Sequence, residues 1–223
     1  MTEVTEIKRI EEAGVIEAVA SVLSSGGVVA VPTETVYGIA SSANSSEGIE
    51  KIYTIKGRQK SKPIAICLSE IDQIDSWAKR TVTQELLHDL LPGPVTVVFE
   101  RTELLNPHLN PGSNLVGIRI PNHSFMRKLV SQCGYPLALT SANVSNAQST
   151  LAVEEFQDLW PLLDMVVDGG RITESEDLTS RKGSTVVNLS QPGKFGVIRE
   201  GSSYMHTVQV LKVKYGLTEV DVQ

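Results

Sequence analysis

Gly27-Val28-Val29-Ala30-Val31-Pro32 is the stretch that decides the fold class. It is apolar without alternation, entered through glycines and closed by a proline, which is how a short strand buried on both faces reads. A strand of that kind needs helices on both sides of its sheet. Upstream, Ile10, Val15, Ala18, Val19 and Val22 recur at helical spacing, predicting a helix over 7–23 that Ser24-Ser25-Gly26-Gly27 stops. Downstream the alternation continues, with strands expected at 64–68, 95–99, 115–120, 137–140, 165–167, 185–189 and 196–198. Helices are expected at 45–55, within 71–91, at 124–133, 153–159 and 207–215. The sum is an α/β fold: a twisted, mixed β-sheet with flanking helices.

A chain of 223 residues buries roughly 70% of its unfolded surface, so one domain over 1–223 suffices, with a core at about 12–201 and a C-terminal helix at about 207–215. No apolar run approaches the ~20 residues of a membrane span, so integral membrane association is not expected. Cys67 and Cys133 are too few for a disulfide framework and suit a reducing compartment. The acidic opening MTEVTEIKRIEEAG has neither the apolar core of a signal peptide nor the Arg-rich character of a transit peptide. Cytoplasm is therefore the expected location, with a mitochondrial form left open. A net charge of −6 argues against a surface devoted to nucleic-acid backbone, which takes many Lys and Arg contacts.

Charge distribution says more than charge sum. Between Glu50 and Glu70 there is no acidic residue, yet Lys56, Arg58, Lys60 and Lys62 stand at every second position. In extended chain they share one face, and Pro63 favours extended geometry just before it. A solvated basic loop and a phosphate-binding wall both fit. In VGIRIP, Val116, Ile118 and Ile120 face one way and Arg119 the other. LALTSAN delivers Thr140, Ser141 and Asn143 past a buried strand, GSTVV presents Ser184 and Thr185, and PTETVYG places Thr33 and Thr35 after the first strand. Strand ends are where open α/β sheets bind ligands, although any one of these segments alone reads as ordinary turn chemistry. Neither GxxxxGK[ST] nor GxGxxG occurs, and His88, His108, His123 and His206 are scattered without metal-ligand spacing, so no protein-held metal is expected. The polar stretch 171–182 reads as a mobile surface loop that could act as a lid.

Taken in order, GGVVAVPTETVYG, KGRxxxKPIAI, LLPGPVTVV, VGIRIPNH, PLALTSAN, GSTVVNL and GVIREG resemble the YrdC family, from Gly26 to Gly201. Where many members read KxRPxxxPL this chain has Gln59 and Ile64, and it has Cys67 where many have histidine. The resemblance implies a YrdC-like fold around an open basic cavity and a nucleotidyltransferase activity: L-threonine, bicarbonate and ATP give threonylcarbamoyl-AMP and pyrophosphate, for t6A37 modification of tRNA by a separate KEOPS-type transferase. ATP is then a substrate, Mg²⁺ arrives with it, and stable tRNA binding is not required. It further implies that Lys56 and Arg58 are catalytic and bind ATP with Lys62, Arg119, Ser141, Asn143, Ser184 and Arg199. Thr33, Cys67, Thr140 and Arg119 would serve threonine. The rival reading is a noncatalytic RNA-binding module using the same cavity, against which stand the net charge and a 5% aromatic content.

Overall fold

The computed structural model describes residues 5–57, 62–175 and 179–221. In chain order the elements are β1 (Glu6–Arg9), α1 (Val15–Ser24), β2 (Val29–Val31), β3 (Gly38–Ser42), α2 (Ser46–Ile55), β4 (Ala65–Cys67), α3 (Ile74–Trp77), β5 (Ala78–Lys79) and α4 (Gln84–Leu90). There follow β6 (Val95–Arg101), β7 (Leu115–Arg119), α5 (Ser124–Cys133), β8 (Leu137–Ser141), β9 (Met165–Asp168), β10 (Thr185–Asn188), β11 (Lys194–Arg199), α6 (Tyr204–Gln209) and β12 (Thr218–Glu219). A 3₁₀ segment covers Val153–Leu162, and a π-helical turn, Val210–Lys214, continues α6.

Among the described residues twelve strands make one mixed sheet in the order β1-β9-β2-β3-β8-β4-β7-β6-β10-β11-β12, with β5 on the flank of β6. Pairs such as β2/β9, β4/β7 and β6/β10 are parallel, whereas β2/β3, β3/β8 and β6/β7 are antiparallel. Successive side chains on a strand point to opposite faces, so each strand feeds two layers. Ala30, Ile39, Ile66, Val97, Ile118, Ala138 and Val187 enter one large core with α2 and α4. Val29, Val31, Ala40, Cys67, Leu137 and Leu139 enter a second core with α1 and α5. Those two helices cover only the β9-to-β4 half of the second face. From the start of β4 onward, the same alternation brings Ala65, Gly117, Thr96, Val98 and Val186 to a surface left open as a cavity.

The helix expected at 153–159 is a 3₁₀ segment broken at Phe156, short strands form at Ala78–Lys79 and Thr218–Glu219, and three larger departures stand beside these. Residues 6–9 are a strand, paired parallel with β9, and the helix begins only at Val15. Ile7 and Ile10 fit a helical period, but Gly14 at φ 78° interrupts it. Gly38–Ser42 forms a central strand that its small, polar composition hides. It packs so closely on α2 that a Cβ on Gly48 would stand 2.7 Å from Ser41 Oγ. At the C-terminus, α6 starts at Tyr204 and passes into π geometry at Val210 instead of running as one helix over 207–215.

Candidate active site

The cavity is about 260 Å³ and its floor is the sheet itself. Register aligns the floor in rows: Leu139 pairs with Ala65, and Val98 with Gly117. One step along, Cys67 pairs with Arg119, Arg119 with Thr96, Thr96 with Val186, and Val186 with Arg199. Absent side chains make the room. A Cβ on Gly117 would stand 3.0 Å from Thr96 Cγ2 and 3.5 Å from Ala65 Cβ, and one on Gly38 would stand 2.8 Å from Leu139 Cδ1.

Arg119 reaches the cavity from β7, while its neighbour Ile118 is in the core. The guanidinium is buried, donates from Nη2 to Thr35 Oγ1 at 2.7 Å and Thr33 Oγ1 at 3.4 Å, and stands 2.9 Å from Glu34 Oε2. The Glu34 approach is an ion pair without hydrogen-bond alignment, and both Glu34 oxygens and Arg119 Nε lack a hydrogen-bond partner among the described residues. Thr33 Oγ1 donates to Val36 O at 2.7 Å and accepts from the Thr35 and Val36 amides, which fixes the turn after β2. Behind this cluster, burial lowers the His123 pKa, with Glu34 opposing the shift and Arg119 adding to it.

At the other end of the cavity, Arg199 donates to Ser184 O from Nε at 3.1 Å and from Nη2 at 2.8 Å, and from Nη2 to Ser184 Oγ at 3.0 Å. Gly201 makes this approach possible: a Cβ there would fall 2.2 Å from Ser184 C and Thr185 N. Thr140 and Ser141 line the wall from the end of β8.

Among the residues expected at the site, Thr33, Arg119, Thr140, Ser141, Ser184 and Arg199 therefore share one cavity wall. Lys56 and Asn143 lie behind it. Lys56 is the C-cap of α2 and 1% exposed; its Nζ donates to Ser141 O and Asn143 O, each at 2.5 Å, with Asn143 Oδ1 at 3.3 Å. Asn143 Nδ2 donates to Val144 O at 2.8 Å and Ala147 O at 2.7 Å. Both expected ATP ligands thus spend their polar atoms on the loop after β8, because a buried ammonium must find acceptors. Lys62 is off the cavity wall and donates to Asn146 Oδ1 at 2.6 Å. Cys67 is fully buried in the second core, on the cavity's face of the sheet but packed with α1 and α5, so it presents no surface to a ligand, and desolvation pushes its thiol up to about 12. Arg58, Gln59 and Lys60 lie outside the described residues.

The sequence reading named Thr35 without giving it a role, and the structure makes it an acceptor for Arg119; it missed Thr96, whose hydroxyl meets Ser184. Thr35 was within view in PTETVYG; Thr96 sits inside an apolar run and carried no signal. The two ends of the 171–182 stretch are pinned to one carboxylate: Arg181 donates to Glu155 at 2.6 and 2.9 Å, and Arg171 at 3.1 Å. Residues 176–178 lie outside the described set.

With this geometry in hand, comparison with known proteins is informative. A family profile for Sua5, yciO and yrdC proteins, described as "Telomere recombination", matches residues 21–201. The chain is 53% identical to mouse threonylcarbamoyl-AMP synthase over 202 residues, covering 91% of this chain and 72% of that relative. It is 51% identical to the human protein of the same name over 210 residues, covering 93% and 75%. Pyrococcus abyssi Sua5, solved in complex with L-threonine, superposes with a TM-score of 0.82 at 26% identity, covering 97% of this chain and 62% of that one. Profile, sequence and fold converge over nearly the whole length, and the chain belongs to the Sua5/YciO/YrdC family.

Proposed function

We propose that this chain is a threonylcarbamoyl-AMP synthase, joining L-threonine, bicarbonate and ATP with release of pyrophosphate. The observation that carries the reading is the 53% identity to the mouse enzyme of that name across 91% of the chain. The cavity supports it, because the reaction needs what the wall offers. Threonine's amine and bicarbonate condense to a carbamate with loss of water. A carbamate oxygen then attacks the α-phosphorus, and the bond to pyrophosphate breaks. Every reacting part is anionic, so the protein's work is positioning and charge stabilisation, with no covalent nucleophile. Arg119 at one end and Arg199 at the other supply guanidinium donors suited to carboxylate and phosphate oxygens. Arg119, Thr33 and Thr140 serve the threonine end. Ser141, Ser184 and Arg199 serve the nucleotide, with Arg58 on the phosphates and Lys62 at their approach. Lys56 and Asn143 act from behind by fixing the loop that presents Ser141.

Mg²⁺ enters this reading as the counter-ion of the ATP phosphates. The product, a mixed anhydride, passes to a KEOPS-type transferase that acts on adenosine 37 of tRNA, in the cytoplasm. The test is to incubate purified protein with ATP, threonine and bicarbonate and look by mass spectrometry for a threonine-dependent AMP adduct with stoichiometric pyrophosphate. Its absence beside an active control sinks the proposal, and steeply salt-dependent RNA binding without turnover would install the RNA-binding rival in its place.

A further inference from the structure

Thr96 stands on the cavity floor in β6, buried at 4% exposure, with Oγ1 2.8 Å from Ser184 Oγ. Ser184 Oγ also receives Arg199 Nη2 at 3.0 Å, while the Ser184 carbonyl receives Nε and Nη2 of the same guanidinium. A guanidinium only donates, so one lone pair of Ser184 Oγ is committed to Arg199. The short contact to Thr96 then has two forms. If Thr96 donates, both Ser184 lone pairs are filled and the Ser184 proton is left for the cavity. If Ser184 donates, the Thr96 proton is the one left. Either way the pair presents one hydroxyl proton to the cavity, polarised by the cation hydrogen-bonded behind it.

We propose that Thr96 is a positioning residue that couples Ser184 and Arg199 into a single donor unit aimed at an oxyanion of the bound nucleotide. The proposal rests on reading this cavity as the ATP site. Three neighbouring strands supply the three members: β6 gives Thr96, the start of β10 adjoins Ser184, and β11 gives Arg199. The hydroxyl is therefore held by sheet geometry and does not depend on a loop. The methyl group of Thr96 has a separate task, filling the space opposite Gly117.

The experiment measures ATP binding by calorimetry, and KM for ATP and for threonine, on wild type, Thr96→Val, Thr96→Ser and both of these with Ser184→Ala, with thermal unfolding to establish folding. Thr96→Val keeps the shape and removes the hydroxyl. It is expected to weaken ATP binding about tenfold and leave the KM for threonine unchanged. Thr96→Ser is expected to keep wild-type ATP binding, and when Thr96→Val is combined with Ser184→Ala the two losses are expected to be clearly less than additive, as for coupled members of one unit. Wild-type ATP affinity in folded Thr96→Val, failure of Thr96→Ser to keep it, or additive losses with Ser184→Ala would each overturn the proposal. Should Thr96→Val not fold, Thr96→Ala takes its place: a loss of ATP affinity of about tenfold that Thr96→Ser does not show supports the assignment, and wild-type affinity in folded Thr96→Ala ends it. Wild-type protein that binds no ATP would instead overturn the nucleotide reading on which the proposal stands.

Discussion

Lys56 shows how a residue's charge can be visible in a sequence while its use is not. The KGR run marks it as a phosphate ligand, yet its ammonium is consumed by Ser141 O and Asn143 O, contributed by the far end of β8 some eighty-odd residues along the chain. Replacing it with methionine keeps much of the volume but takes the ammonium away from Asn143 O and leaves Ser141 O with the Asn143 amide alone. The expected cost is about 2–3 kcal/mol, or a fall in Tm of roughly 4–12 °C for a chain of this size. Nucleotide affinity should fall with it, because the same carbonyls fix the loop presenting Ser141. A melting curve unchanged by Lys56→Met would show that the contacts are incidental. Thr96 is the opposite case. In LLPGPVTVV it reads as one more β-former, and only the register of β6 against β10 brings its hydroxyl to Ser184.

Elements were legible in proportion to how far their own residues carry the pattern. GVVAVP announced β2 because every side chain in it is buried. GIASS did not announce β3, since a strand of small residues shows neither alternation nor a β-branched run, and it owes its state to the strands on either side. EIKR was drawn into a helical period because four residues are too few to show a period of two. Two predictions belong at this scale. Gly201 closes the chain after β11 against the start of β10, and Gly201→Ala forces a Cβ to within 2.2 Å of backbone that cannot yield. A loss of about 3 kcal/mol or more is expected by chemical denaturation, and a stability equal to wild type would contradict the packing described. Glu155, which ties Arg171 and Arg181, has its carboxyl lowered to about 2, chiefly by the hydrogen bond from Arg181. A depressed carboxyl stabilises the fold fully above its ordinary value near 4.5 and loses that contribution as pH falls through about 2. Solvent screening holds the net effect to about 1 kcal/mol or less. Glu155→Gln should therefore change global stability little at neutral pH, while hydrogen exchange at 179–183 rises; equal exchange in both proteins would mean that the clamp does not hold this segment.

At the scale of the whole molecule, a cavity walled by strands from across one sheet should register its ligand in the unfolding of the entire domain. At a hundredfold excess over Kd, a ligand that binds only the native state adds about 2.7 kcal/mol. ATP should on this basis raise Tm by roughly 5–11 °C, and a scan without any shift would argue against binding at this floor. The uncovered half of the second sheet face has a consequence for evolution and for engineering. Along β6 and β7 the even and odd positions answer to different masters: Val97 and Ile118 belong to the large core, whereas Thr96, Val98 and Gly117 face the cavity. Substitutions at the second set can reshape substrate preference while leaving the interior intact, and substitutions at the first set change thermal tolerance without altering selectivity. A lineage could thus adjust what it binds and how hot it lives on separate, interleaved letters of the same strands.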